Sequence, residues 1–182
     1  DIHQEFIQNK IQLDTVNFYN YRSYINCKKL VALFPIDIEK VNMDSLAYFT
    51  NYSLYYSTFN PSQGSINSII STASFNIIKN DTLRSILISW EDLIADLQED
   101  EIGAKNTVVN LLHPYFSKNI EYDVHLSDKR NNLKAFETME FEFLMRTRLD
   151  NLYTIFKEGN EMELVTKNID KIIELSKAKE DD

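Results

Sequence analysis

The sequence predicts an all-α protein, an elongated bundle of about four layers with three long helices and two shorter ones. Three observations carry this. Apolar residues recur at helical spacings over long stretches. Only three Gly and three Pro are present to reverse the chain, which favours long helices over many short strands. Residues 59–102 then supply, in order, a Pro-marked break, a short serine-spaced helix, a helix start and a long amphipathic run. With 182 residues, 43% hydrophobic and 26% charged, the chain is read as one domain spanning 1–182. A domain of this size buries roughly 70% of its unfolded surface.

The first helix is predicted over 2–34, where Ile2, Phe6, Leu13, Val16, Cys27, Leu30, Val31 and Phe34 keep helical spacings and Pro35 ends the run. The aromatics Phe18, Tyr19, Tyr21 and Tyr24 in its middle are read as packing against neighbouring helices, not as a ligand cage. Asn42 or Asp44 can cap a second helix to about Ser57, with Leu46, Phe49, Leu54, Tyr55 and Tyr56 as its apolar surface. Phe59-Asn60-Pro61 breaks it. Ser62, Ser65, Ser68, Ser71 and Ser74 recur every third residue beside Ile66, Ile69 and Ile70, which predicts a short helix whose small-residue stripe lets another backbone approach. These serines lack the base and oxyanion-hole signals of a nucleophile.

Phe75 to Ile78 is expected to be a buried connector. Asn80 or Asp81 then starts a long helix over 81–116, with Leu83, Leu87, Trp90, Ile94, Leu97, Val108, Leu111 and Leu112 inside. Gly103 is tolerated within it, and Pro114 bends or ends it. Residues 117–135 are polar and aperiodic, a surface excursion and a candidate binding loop. The final helix is predicted over 137–178, with Phe141, Leu144, Met145, Leu152, Ile155, Met162, Val165, Ile169 and Ile172 at bundle spacings.

A net charge of −9 with no concentrated basic surface argues against nucleic acid as a partner. Between Asp81 and Glu101 seven acidic residues face Arg84 alone, read as a solvated helix face before a cation or basic-partner surface. Cys27 is the only cysteine, so no intrachain disulfide forms and the redox compartment stays open. The histidines His3, His113 and His125 form no helical metal-ligand pair, and Gly64, Gly103 and Gly159 build no phosphate-binding fingerprint, so no metal or cofactor is expected. Arg148 falls on the apolar stripe of the final helix, so its charge needs a carboxylate or solvent; Glu91 or Glu101 is the expected partner. Phe59, Pro61, Phe75 and Trp90 are the candidate packing motif.

Several features occur together: Thr58-Phe59-Asn60-Pro61, the Ser-rich helix leading to Phe75-Asn76-Ile77-Ile78, Asn80-Asp81-Thr82-Leu83-Arg84, and Ser89-Trp90-Glu91 followed by Gln98-Glu99-Asp100-Glu101. With SLAYFTNYSLYY before them, LLHPYF after them and the helix from Phe141 to Leu175, the chain resembles an uncharacterised family of Bacteroidota membrane proteins, a domain of unknown function. Thr72-Ala73-Ser74 stands where that family often has a Ser-Gly pair. The resemblance implies an extracytoplasmic, periplasmic helical domain with a transmembrane anchor upstream of Asp1. It implies no catalytic residue.

The expected function is therefore a membrane-tethered sensing or scaffolding module that binds a protein partner or a small ligand and is not an enzyme. The alternatives are a chemoreceptor-like small-ligand sensor, marked by a pocket between helices with convergent polar groups, and a hydrolase with an unrecognised acid pair, marked by two carboxylates facing each other in a cleft. Alternating directions along the bundle place Asp1 and Asp182 at one end. The loop 35–41 and the excursion 117–135 then share the other.

Overall fold

The computed structural model describes residues 1–72, 77–121, 123–158 and 160–177, and these are all-α, with no strand among them. Helix α1 spans Ile2–Val31, with the Asp1 side chain capping His3 N–H at 2.9 Å. It stops three residues before the expected end, because a residue preceding proline avoids the helical region; Leu33 and Phe34 instead close short turns onto Leu30 and Val31. Helix α2, Met43–Ser53, is capped by Asn42, whose side chain accepts from Ser45 N–H at 2.8 Å. It ends before Tyr55 and Tyr56, which stand exposed on the extended chain that follows.

Helix α3, Gly64–Ser71, buries Ile66 but leaves Ser68 and Ser71 exposed, so the serine stripe does not admit a neighbouring backbone as expected. Its serine at position 65 instead bonds the Glu5 carboxylate. Ser74, Phe75 and Asn76 lie outside the described residues; of the rest of the connector expected to be buried, Ile77 is exposed and Ile78 half-buried.

The long helix expected over 81–116 is divided. Helix α4, Asp81–Ile88, is capped by Asn80 through Leu83 N–H at 2.9 Å, and helix α5, Trp90–Thr107, begins one residue later. The joint is Ser89, whose hydroxyl turns back to Ser85 and Ile86 carbonyls, a bond that bends helices. A π turn, Val108–Leu112, then leads into helix α6, His113–Asn119. Pro114 does not end the run, because it sits at the start of α6, directly after the π turn, where a missing N–H is tolerated. The same register change turns Leu111 outward, 45% exposed, while Leu112 is fully buried.

A 3-10 turn, Leu133–Glu137, buries Ala135 and Phe136 and closes the excursion earlier than expected. The final helix is also two: α7, Met139–Tyr153, which ends in a π turn, Thr154–Glu158, and α8, Glu161–Ser176. Gly159 and Asn160 are poor helix formers at the division.

Ser23 and Asn20 of α1 bond Ser53 and Ser57, and Asn9 and Glu5 bond Ser62 and Ser65, so residues 43–71 run back along α1. Phe6 near the start of α1 meets Trp90, while Tyr115 stacks on Phe141, so α4 to α6 lead away again. Helices α7 and α8 return: Phe34 meets Phe141, Cys27 Sγ meets Met145 O, and His3 Nδ1 meets Ile173 O at 3.0 Å. The start of α1 and the end of α8 therefore lie together as expected, while Asp182 itself lies outside the described residues. At the other end Ile38 N–H bonds the Glu137 carboxylate at 2.9 Å, which joins the 35–41 loop to the end of the excursion.

Candidate functional site

The site grows from two buried charges that the sequence paired and the structure separates. Arg148 is fully buried, so its place on the α7 stripe is as expected, but its partner is neither Glu91 nor Glu101. Glu91 is exposed on α5. The guanidinium instead donates to Ser53 O at 3.1 Å, Ala104 O at 2.6 Å, Tyr55 O at 2.6 Å and Ser23 Oγ at 3.2 Å. Carbonyls serve because the fork of donors matches several backbone acceptors at once. Ala104 O is open to it because Val108 N–H bonds Lys105 O at the π turn. Burial lowers the Arg148 pKa to about 10, so it keeps its charge at neutral pH.

Glu101 is also buried, at 1% exposure. One oxygen accepts from Phe59 N–H at 2.7 Å, and the other has no partner among the described residues. Burial pushes its carboxyl up to about 7, against the Phe59 N–H bond that lowers it. Gln98, one turn earlier, donates to Phe59 O at 2.7 Å, so both backbone groups of Phe59 are held from α5. Asn20 does the same for Ser57, at 2.9 and 2.8 Å, and Asn9 for Ser62, at 2.8 and 2.9 Å. The extended stretch 55–63 thus has side-chain amides and a carboxyl where a strand would have a neighbouring backbone. Of the expected packing motif, Phe59 and Trp90 are fully buried and Pro61 half-buried on this stretch and beside it. Phe75 lies outside the described residues.

Tyr55 and Tyr56, whose backbone Arg148 helps to fix, open onto a concave feature of the surface. It is a groove of about 1330 Å³ between α2 with its extension and the segment 113–126. Tyr48, Tyr52, Tyr55 and Tyr56 line one wall, and Phe116, Ile120 and Leu126 line the opposite one. Tyr48, Tyr52 and Tyr55 form a continuous ring array, with centroids 4.5 and 5.5 Å apart, the second pair stacked. Asp44, Glu121 and Asp123 supply carboxylates, and His113 and His125 imidazoles. His125 Nε2 lies 3.8 Å from Asp44 Oδ1. Behind the rings, the Arg22 guanidinium sits 3.7 Å over Tyr52, in a smaller cleft of about 280 Å³ that shares Tyr52 and Tyr55 with the groove.

The acidic segment 81–101 is mostly a solvated face, as read from the sequence, with Glu101 as its buried member. Of the groove tyrosines, Tyr55 and Tyr56 are placed by the sequence on the apolar surface of the second helix, and Tyr48 and Tyr52 receive no role from it; the spacing of 48, 52 and 55 along one face is the available signal. Asn9 and Asn20 were missed too, although they interrupt the apolar stripe of α1 at core positions. No protein-family model, curated protein or solved structure matches the chain. Among the described residues no helix is long and apolar enough to cross a membrane.

Proposed function

We propose that the protein is a binding module, and that the tyrosine-lined groove between α2 and residues 113–126 is where it receives a ligand or partner. One observation carries this: a ring array left open to solvent, with Tyr48 47% and Tyr55 44% exposed, on a backbone that a buried arginine holds in place. Exposed tyrosines on a fixed frame offer large contact area at little cost in ordering. Convergent polar groups in a pocket between helical segments favour the ligand-sensor form over a flat scaffold. Catalysis is the weaker reading. Two carboxyls are pushed up, Glu101 by burial and Asp100 by burial and by the nearby carboxylates of Glu161, Glu99 and Asp96; neither is among the groove's lining residues, and Glu101 faces a backbone N–H instead of a second carboxylate.

A tether on the extracytoplasmic side of a bacterial membrane belongs to the same proposal. It is supported by the family resemblance and by the groove's position at the end away from the paired ends of α1 and α8. A photo-crosslinking residue placed at Tyr56, with Phe143 on another exposed surface as control, tests the reading in cells. Adducts of defined mass from Tyr56 and not from Phe143 are expected. Adducts from Phe143 alone would end the groove's claim. Protease access to the domain in intact spheroplasts tests the compartment separately.

A further inference from the structure

We propose that the groove takes a small organic cation, an ammonium or guanidinium carried on an apolar body. This rests on the groove's being the binding site and names the class of ligand. Aromatic faces carry negative quadrupole charge, so an array of tyrosines attracts a cation that slides over it. The protein already uses this preference on the rear of the same array, where Arg22 covers Tyr52 and its Nη2 lies 3.4 Å from the Tyr48 hydroxyl.

Charge points the same way. Asp44, Glu121 and Asp123 are on the groove, and neither Lys nor Arg is among its described lining residues. On a chain of net charge −9, the groove turns three carboxylates toward an arriving ligand; its other ionisable lining groups include the imidazoles of His113 and His125, and the nearby cations Arg22 and Lys105 lie over the rings of Tyr52 and Tyr56. The wall also keeps a hydrogen-bonding group unused: Thr50 is 7% exposed, and its hydroxyl is buried with no partner among the described residues. Phe116, Ile120 and Leu126 opposite the rings would receive the apolar body. An anion would meet three carboxylates, and a neutral ligand would leave them unused.

The test is a chemical-shift titration of the full chain at pH 8 with three probes of one shape: 2-phenylethylammonium, 2-phenylethanol and 3-phenylpropionate. The expected result is that the ammonium shifts the resonances of Tyr48, Tyr55 and Tyr56 with at least about tenfold tighter binding than the alcohol. The carboxylate should be weakest. Raising the salt concentration should weaken the ammonium and leave the alcohol unchanged. The variant D44N/E121Q/D123N should reduce the ammonium's advantage several-fold. Asn is chosen at position 123 because Asp123 has a φ of 64°, a conformation that Asn tolerates. An alcohol that binds as tightly as the ammonium, at the same tyrosines, overturns the cation inference and leaves the groove a binding site. Silence at those tyrosines with all three probes overturns both.

Discussion

Two stretches of irregular backbone, 54–63 and the described residues of 120–132, stand in opposite relations to the rest of the molecule. The first is held from elsewhere in the chain. Its bonds to Asn20, Gln98, Glu101, Asn9 and Arg148 span 37, 39, 42, 53 and 93 positions. The second holds itself: Asn131 accepts from Glu121 N–H and donates to His125 and Leu126 carbonyls, ten positions away at most. Asn132 and Asn119 pair beside it. A chain without secondary structure can enter a core only when polar side chains are committed to its backbone, and it then shares the core's stability. A surface stretch that satisfies itself can change without disturbing the bundle. The groove lies between one wall of each kind.

The sharpest way to break this comparison is to remove the arginine. Arg148→Met should cost about 3–5 kcal/mol, because it removes four hydrogen bonds, leaving Ala104 O and Tyr55 O without their guanidinium donor and Ser53 O with the Ser23 hydroxyl as its remaining side-chain donor. Urea unfolding measures it, and a loss below about 1 kcal/mol would show that the held segment is not part of the cooperative unit.

Glu101 gives the next effect, and its sign follows from linkage. Its folded pKa is raised from 4.5 to about 7, so between those values the folded state binds more protons than the unfolded one. Its contribution is fully present below 4.5, is lost as pH rises to 7 and is flat above. The change is on the order of 3 kcal/mol. Glu101→Gln still accepts from Phe59 N–H, so the variant should lose this slope and gain stability at pH 8. An unchanged slope would locate the titration elsewhere.

Asn20→Ala and Asn9→Ala should each cost about 1–3 kcal/mol, since each removes a donor and an acceptor from one residue's backbone. Hydrogen exchange at Ser57, Phe59 and Ser62 should be as slow as in the helices of the core, and at Ser127 fast. The smallest effect belongs to the excursion. Asn131→Ala should cost no more than about 1 kcal/mol, and a larger loss would erase the contrast between the two stretches.

The helices were legible in the sequence because burial repeats along them. So were the caps at Asn42 and Asn80, which carry a residue-type signature, and the meeting of the first and last helices at one end. The breaks at Ser89 and near Gly159 were not, since apolar spacing continues across both. Arg148 was placed correctly in the core and given the wrong partner for a physical reason. A carboxylate shows in a sequence, whereas a backbone carbonyl is present at every residue and becomes available only where a π turn or a helix end frees it. One wall of the candidate site lies on the excursion read as a binding loop, whereas its tyrosine wall was illegible for a related reason. Tyr55 and Tyr56 continue the pattern of α2, and nothing local says that the helix has already ended.

Arg148 also has a place in time. Its acceptors lie at Ser23, Ser53, Tyr55 and Ala104, separated from it by 125, 95, 93 and 44 positions. No early local event brings such distant points together, so the guanidinium stays hydrated until α1, α5 and α7 have docked. Bonds that close after the folding barrier do little to speed arrival and much to delay departure. Arg148→Met is therefore expected to speed unfolding while leaving the folding rate nearly unchanged, which stopped-flow kinetics would read as a latch on the frame where the groove's tyrosines stand.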